Sequence, residues 1–219
     1  MKSILLVSAT ADFAFSGWID DVAKSVRRQR AFIVPINIAT VAALTPDRYR
    51  VQLWDEIAQG PAEANLDAGY ELVGVSAYSG QLPRALAIAA AFRSRGATVV
   101  IGGAGVTADP LAAEGKVDAI FIGEVETTWR TFLDDWEAGR PRRRYEPESF
   151  PDLALSPPPR WDSIADDLAA RYKTAALQVN RGCPHRCEFC HVWIKFGRRM
   201  RTKPVPQVLA EVRELERLG

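Results

Sequence analysis

Short apolar runs and helix-period segments alternate along the first two thirds of this chain. Residues 4–8 read Ile-Leu-Leu-Val-Ser, and residues 50–54 read Arg-Val-Gln-Leu-Trp. Residues 71–78 (Glu-Leu-Val-Gly-Val-Ser-Ala-Tyr), 98–101 (Thr-Val-Val-Ile) and 118–122 (Asp-Ala-Ile-Phe-Ile) continue the series. Nearly continuous Val/Ile/Leu runs are what strands covered on both faces of a parallel sheet require. Between them lie helical segments. Residues 36–44 stop short of Pro46, the Ala-rich residues 82–95 are closed by Gly96, and residues 127–138 are closed by Gly139. Strand–helix alternation with short connections predicts an α/β domain over residues 1–139. It is a doubly wound, mainly parallel five-stranded sheet of flavodoxin-like or Rossmann-like type. No internal repeat is present.

The pattern breaks at residue 140. Arg140-Pro-Arg-Arg-Arg144, Pro147, Pro151 and Pro157-Pro-Pro159 follow closely. Residues 140–173 therefore read as an extended, proline-stiffened linker. Its basic run reads as solvated, with contact to a phosphate or acidic partner as the other reading. Residues 174–180 (Thr-Ala-Ala-Leu-Gln-Val-Asn) predict a new strand. Pro204 or Pro206 then opens a helix over 208–218, with Val208, Leu209, Val212, Leu215 and Leu218 on one face. One strand and one helix do not bury a core alone. Residues 174–219 are thus expected either to pack on the first domain or to begin a larger one, and no closed barrel is expected within them.

Composition narrows the class. Of 219 residues, 47% are hydrophobic and 25% charged, ordinary for a soluble globular protein. A net charge of +1 argues against a bulk nucleic-acid or membrane-surface binder. No run of roughly 18 apolar residues exists to span a membrane. The N-terminus, Met-Lys-Ser-Ile-Leu-Leu-Val-Ser, reads as a buried first strand and not as a signal peptide, so a cytoplasmic location is expected.

Candidate chemistry concentrates in one loop. All three cysteines fall in Cys183-Pro-His-Arg-Cys187-Glu-Phe-Cys190. An odd number this close is a poor disulfide framework and reads as a metal or redox site. Soft thiolates suit iron–sulfur clusters or zinc. A structural zinc site wants four ligands, and His185 or His191 is available as the fourth. Three thiolates on a four-iron cluster leave one iron open to a non-protein ligand.

The C-x3-C-x2-C spacing, its place directly after a predicted strand, and Phe189 before the last cysteine resemble the radical S-adenosylmethionine superfamily. The wider run from Gln178 to Cys190, continuing through Phe196-Gly-Arg-Arg to Arg201-Thr-Lys203, is similar to the branch that carries a cobalamin domain ahead of the radical barrel. The hopanoid C-methylase group is the nearest named. The resemblance implies a 4Fe-4S cluster on Cys183, Cys187 and Cys190, with the cofactor's adenine near Phe189. It covers the first βα unit of that barrel over 174–219. The family's Gly-Gly-Glu segment and ribose contacts have no counterpart here, so the chain reads as truncated after that unit.

The first domain resembles cobalamin domains of the methionine synthase type, which carry Asp-x-His-x-x-Gly, then Ser, then Gly-Gly. Asp55-Glu-Ile57-Ala-Gln-Gly60 keeps the Asp and Gly, and Ile57 stands at the histidine position. Ser76 and Gly102-Gly103 follow. Doubly wound sheets bind ligands at the carboxyl ends of their strands. The implied cobalamin contacts are Ser8, Thr10, Asp55, Gly60, Ser76, Tyr78, Gly102, Gly103 and Glu124. Ile57 implies that the lower face of cobalt has no protein nitrogen. Glu124 and Glu126 read as an acid/base pair or, more simply, as charges at a helix start.

The resemblance implies an enzyme in which an electron from the cluster cleaves S-adenosylmethionine, and the resulting radical abstracts hydrogen from an unactivated carbon. Methylcobalamin then supplies the methyl group. Cyclisation and rearrangement use the same parts. The substrate class is a small molecule or lipid. Lys195, Arg198, Arg199, Arg201 and Lys203 form either a solvated face or an attraction for an anionic substrate or a flavodoxin or ferredoxin reductant. The competing reading is a non-catalytic module, cobalamin-carrying or zinc-stabilised.

Overall fold

The computed structural model describes residues 1–10, 31–164 and 168–218. Of the domain expected over 1–139, residues 11–30 lie outside the described residues. Six strands form the main sheet: β1 (Ser3–Ser8), β3 (Arg50–Asp55), β4 (Leu72–Ser76), β5 (Thr98–Gly102), β6 (Ala119–Phe121) and β7 (Arg144–Tyr145). Their order is β3-β1-β4-β5-β6-β7, and every pair is parallel. The chain starts at β1, crosses to β3 on one side and returns to β4 on the other. That reversal of strand order opens a crevice at the carboxyl ends.

Alternating side chains of each strand feed two cores. Ile4, Leu6, Leu72, Val100 and Phe121 face the helices Ile36–Leu44 and Trp129–Glu137. Leu5, Val7, Val73, Val75 and Ile101 face the helix Leu82–Arg93. Each such burial stabilises the fold by about 1.5–3 kcal/mol before entropy is counted. Gly74 interrupts the first face. A Cβ there would lie 2.8 Å from Leu6 Cδ2, so only glycine keeps this part of the sheet close-packed yet low.

Five of these strands lie within residues 1–139, as expected, and a sixth is added from beyond them. It arises inside the stretch read as a linker. Tyr145 is buried, stacks on Phe121 with ring centroids 5.2 Å apart, and donates its hydroxyl to Asp135 at 2.8 Å. Trp161 and Ile164 are also buried against the first core, and Leu153 is fully buried. Proline and arginine set the average composition of this stretch, but its few large apolar residues decide where it goes. The arginines do stay at the surface, Arg142 on Asp135 at 3.1 Å and Arg144 on Glu146 at 2.6 Å.

The strand expected over 174–180 is also corrected. The structure has two short pieces, β8 (Tyr172–Thr174) and β9 (Asn180–Arg181). β8 runs parallel to β2 (Ala31–Ile33), and β9 runs antiparallel to β10 (Arg201–Thr202). A ladder persists only where a partner satisfies its N–H and C=O groups. Among the described residues, partners meet this segment at its two ends only. No closed barrel forms within 174–218. The last helix spans Val205–Leu218, three residues longer at its start than expected, with Pro206 in its first turn where the missing N–H costs nothing. Its apolar face is divided. Leu215 and Leu218 pack on the first core, whereas Leu209 and Val212 are exposed. No helix among the described residues is long and apolar enough to cross a membrane.

Candidate functional site

At the carboxyl edge the strands end in register. Ser8 pairs with Asp55 and with Ser76, and Ser76 pairs with Gly102. From this edge a cleft of about 170 Å³ runs down the first face, between the sheet and the Ile36–Leu44 helix. Leu6, Gly74, Val100 and Phe121 form its floor. The floor is low because Gly74 carries no side chain. The rim is polar. Asn37 Nδ2 donates to Ser76 Oγ at 2.6 Å, and Thr40 lies one turn along the same helix face. At the rim Gly103 has φ +102° and sits against Ala77. A Cβ would meet the Ala77 carbonyl oxygen at 2.6 Å, so the backbone itself forms that wall.

Of the residues read from the sequence as cobalamin contacts, Ser76, Tyr78, Gly102, Gly103 and Glu124 line this cleft. Ser8, Thr10, Asp55 and Gly60 do not. The Thr10 amide donates to Glu56 Oε2 at 3.1 Å. Gly60 turns the chain at φ +85°, and its carbonyl accepts from Trp54 Nε1 at 2.8 Å. Asp55 is buried; it accepts from the Ile57 amide at 3.2 Å and from the Tyr172 hydroxyl at 3.0 Å. Burial pushes its carboxyl up to about 6, only partly offset by those two donors. Burial and the Asp55 charge raise the Tyr172 hydroxyl in turn. Ile57, at the histidine position, is half exposed and lies outside the cleft lining.

The cysteine loop sits beside this edge. Cys183 and Cys190 are partly buried and Cys187 is exposed, all as free thiols. The Cys183 amide donates to the Gly197 carbonyl at 3.0 Å, and the Cys190 amide to the Cys187 carbonyl at 3.2 Å. Among the described residues no group of three or more His, Cys, Asp or Glu side chains is gathered closely enough to hold a metal ion. The donor set nonetheless suits a three-thiolate cluster, because all three soft ligands sit on one short loop. His185, His191 and Phe189 are exposed, Phe189 at 85%.

Residues 23–133, just over half of the chain, match the model of the B12 binding domain. The chain belongs to the B12-binding domain family. It is 33% identical over 157 residues to a bacteriochlorophyllide d C-8(2)-methyltransferase of Chlorobaculum tepidum, covering 70% of this chain and 34% of that protein. It is 27% identical over 205 residues to a hopanoid C-2 methylase of Rhodopseudomonas palustris, covering 92% of this chain and 37% of that protein. A bacteriochlorophyllide d C-12(1)-methyltransferase of Chlorobaculum tepidum is 25% identical over 192 residues, 86% of this chain and 42% of that protein. The chain thus spans roughly a third to two fifths of the length of these relatives.

The floor of the cleft is glycine, aliphatic carbon and the Phe121 ring, and its rim offers an amide, hydroxyls and backbone groups. The segment after the domain completes it. Gln178, Arg181, Lys195 and Phe196 all line the cleft. Lys195 Nζ lies 4.5 Å from the Phe196 ring centre and 5.7 Å from that of Tyr78. Burial, then the nearby Arg181 charge, lowers its pKa. Arg181 pairs with Glu124 and with Glu126, each at 2.6 Å, and Arg201 reaches Glu124 from the other side. Neither carboxylate is free for acid/base work in this arrangement. The basic residues divide likewise. Arg198 and Arg199 are exposed, while Lys203 is buried on Glu211 at 2.5 Å.

Sequence reasoning missed Asn37, Tyr172 and Arg181. Asn37 had a signal, being the amide in an otherwise apolar helix beside Thr40. Tyr172 had none, since its partner lies 117 positions away.

Proposed function

We propose that this chain holds cobalamin in the cleft and a 4Fe-4S cluster on Cys183, Cys187 and Cys190, and serves radical S-adenosylmethionine methyl transfer. The acceptor is an unactivated carbon of a small molecule or lipid. One observation carries the reading. The cleft of the B12-binding domain is completed by Gln178, Arg181, Lys195 and Phe196, which flank the cysteine loop. Cofactor cleft and cysteine loop therefore share one edge. The names of the related methyltransferases and hopanoid methylase support methyl transfer over the other outcomes of this chemistry.

Ser76, Asn37, Gly102 and Gly103 would hold the cobalamin tail, and Tyr78 and Glu124 would lie at the mouth. Phe189, exposed on the loop, would meet the adenine of S-adenosylmethionine. Bound there, the groups supply the electron and the methyl that the reaction needs, and the protein supplies placement. Ile57, at the histidine position, would offer bound cobalt no nitrogen ligand. Exposed Arg198 and Arg199 offer a positive surface to an acidic flavodoxin or ferredoxin.

Anaerobic reconstitution with iron and sulfide tests the cluster. The expected result is a 4Fe-4S signal in electron paramagnetic resonance that is lost in Cys183→Ala, Cys187→Ala and Cys190→Ala. Stoichiometric zinc without iron after anaerobic purification would overturn it.

A further inference from the structure

We propose that Glu124, Glu126, Arg181 and Arg201 form a positioning clamp that fixes the cysteine loop against the cofactor cleft and couples the two. The proposal rests on reading the cleft as the cobalamin site. Its ground is the placement of four charges. Side-chain exposure is 2% for Glu124 and for Glu126, 8% for Arg181 and 13% for Arg201. Burying such groups is expensive, and their pairing returns little net stability. What pairing does specify is arrangement.

The two arginines bracket the loop. Arg181 lies in β9, just before Cys183, and Arg201 lies in β10, after the Val192–Phe196 helix. They are direct partners across the antiparallel ladder. Like charges facing each other across a two-stranded ladder oppose its formation. Glu124 and Glu126, just after β6, supply the compensation. Arg181 Nη1 bonds both carboxylates, and both Nη atoms of Arg201 bond Glu124. The guanidinium groups are held from behind as well. Arg181 Nε donates to Gln178 Oε1 at 2.8 Å, and Arg201 donates to the Pro151 and Phe196 carbonyls at 2.6 and 3.1 Å. The stem of the cysteine loop therefore closes with its charges balanced only when docked on the domain.

Three clamp members, Glu124, Glu126 and Arg181, also line the cleft. Arg201 does not. A ligand in the cleft touches the clamp from one side while the cysteine loop hangs from the other. Occupancy of the cleft should then stiffen the loop, and loosening the clamp at Arg201 should weaken cofactor binding from outside the cleft. These are the two directions of one coupling.

Hydrogen exchange on the full chain, with and without hydroxocobalamin, reads this out. In Arg201→Met, amides of residues 180–203 should exchange about tenfold faster, while those of β1, β4 and β5 stay unchanged. Hydroxocobalamin should slow exchange in 180–203 of the wild type but not of this variant, and its affinity should fall about tenfold. Arg201→Lys keeps the charge without the fork and should fall between. Unchanged exchange in 180–203 of either ligand-free variant, or acceleration spread across the sheet, would overturn the clamp. Binding of hydroxocobalamin without protection of 180–203 would overturn the coupling. Absence of any cofactor spectrum in the wild type would instead overturn the reading of the cleft, and the ligand-free comparison would still decide the clamp.

Discussion

The central strands of the sheet bury Ile4, Leu72 and Val100 between two layers of apolar side chains. Residues 174–218 bury charge instead. Arg181, Lys203 and Glu211 are 8%, 4% and 1% exposed, while Phe189, Val205 and Leu209 stand in solvent. Apolar burial is non-directional and tolerates any partner of the right size. Buried ion pairs tolerate only their own partner. The first region is thus specified by its own pattern, and the second by what it docks on. The cysteine loop gains a defined position this way without a core of its own.

The largest expected effect lies in the second region. Lys203 and Glu211 form a buried pair at 2.5 Å. Lys203→Met leaves Glu211 buried and unpaired, and should destabilise the Val205–Leu218 helix by about 4 kcal/mol. Adding Glu211→Leu should return most of that loss. Native-state hydrogen exchange of the helix amides measures both. An equal loss in the double variant would mean that the pair's charges are not what matters.

The next effect is in the first region, where charge is the exception. Asp55 is raised from 3.8 to about 6, chiefly by burial. The folded state therefore holds the proton more tightly than the unfolded one. This contribution is complete below pH about 4 and is lost as pH rises through about 6, by up to about 3 kcal/mol. Asp55→Asn should flatten that part of the stability profile. A denaturant midpoint that keeps the wild-type slope between those pH values would refute the assignment.

Gly103→Ala should cost about 2 kcal/mol, because φ +102° and the Ala77 carbonyl both exclude a Cβ. It should also narrow the cleft rim, so thermal midpoint and cofactor affinity should fall together. Tyr172→Phe should be smallest, about 1 kcal/mol. It removes one hydrogen bond to Asp55 and leaves the ring's packing intact.

The strands of the sheet were legible because burial on both faces demands runs such as Leu72–Ser76, which composition does not disguise. Tyr145 and the sixth strand were hidden by the prolines and arginines around them. The strand expected over 174–180 failed for another reason. Its apolar pattern is real, but strand pairing depends on neighbours that a local pattern does not contain. At the site, Ser76, Gly102 and Gly103 were implied by the resemblance to cobalamin domains, and they line the cleft. The pairing of Arg181 with Glu124 was not legible, since a long-range ion pair leaves no periodic trace.

Titration of the full chain with hydroxocobalamin under anaerobic conditions tests whether it holds cobalamin without a protein nitrogen on cobalt. Visible absorption and, after reduction, electron paramagnetic resonance report the cobalt ligands. The expected result is micromolar binding with the dimethylbenzimidazole base displaced and no protein nitrogen below cobalt, and a new nitrogen ligand in Ile57→His. An unchanged cofactor spectrum at micromolar concentration, or nitrogen ligation by the wild-type protein, would contradict it.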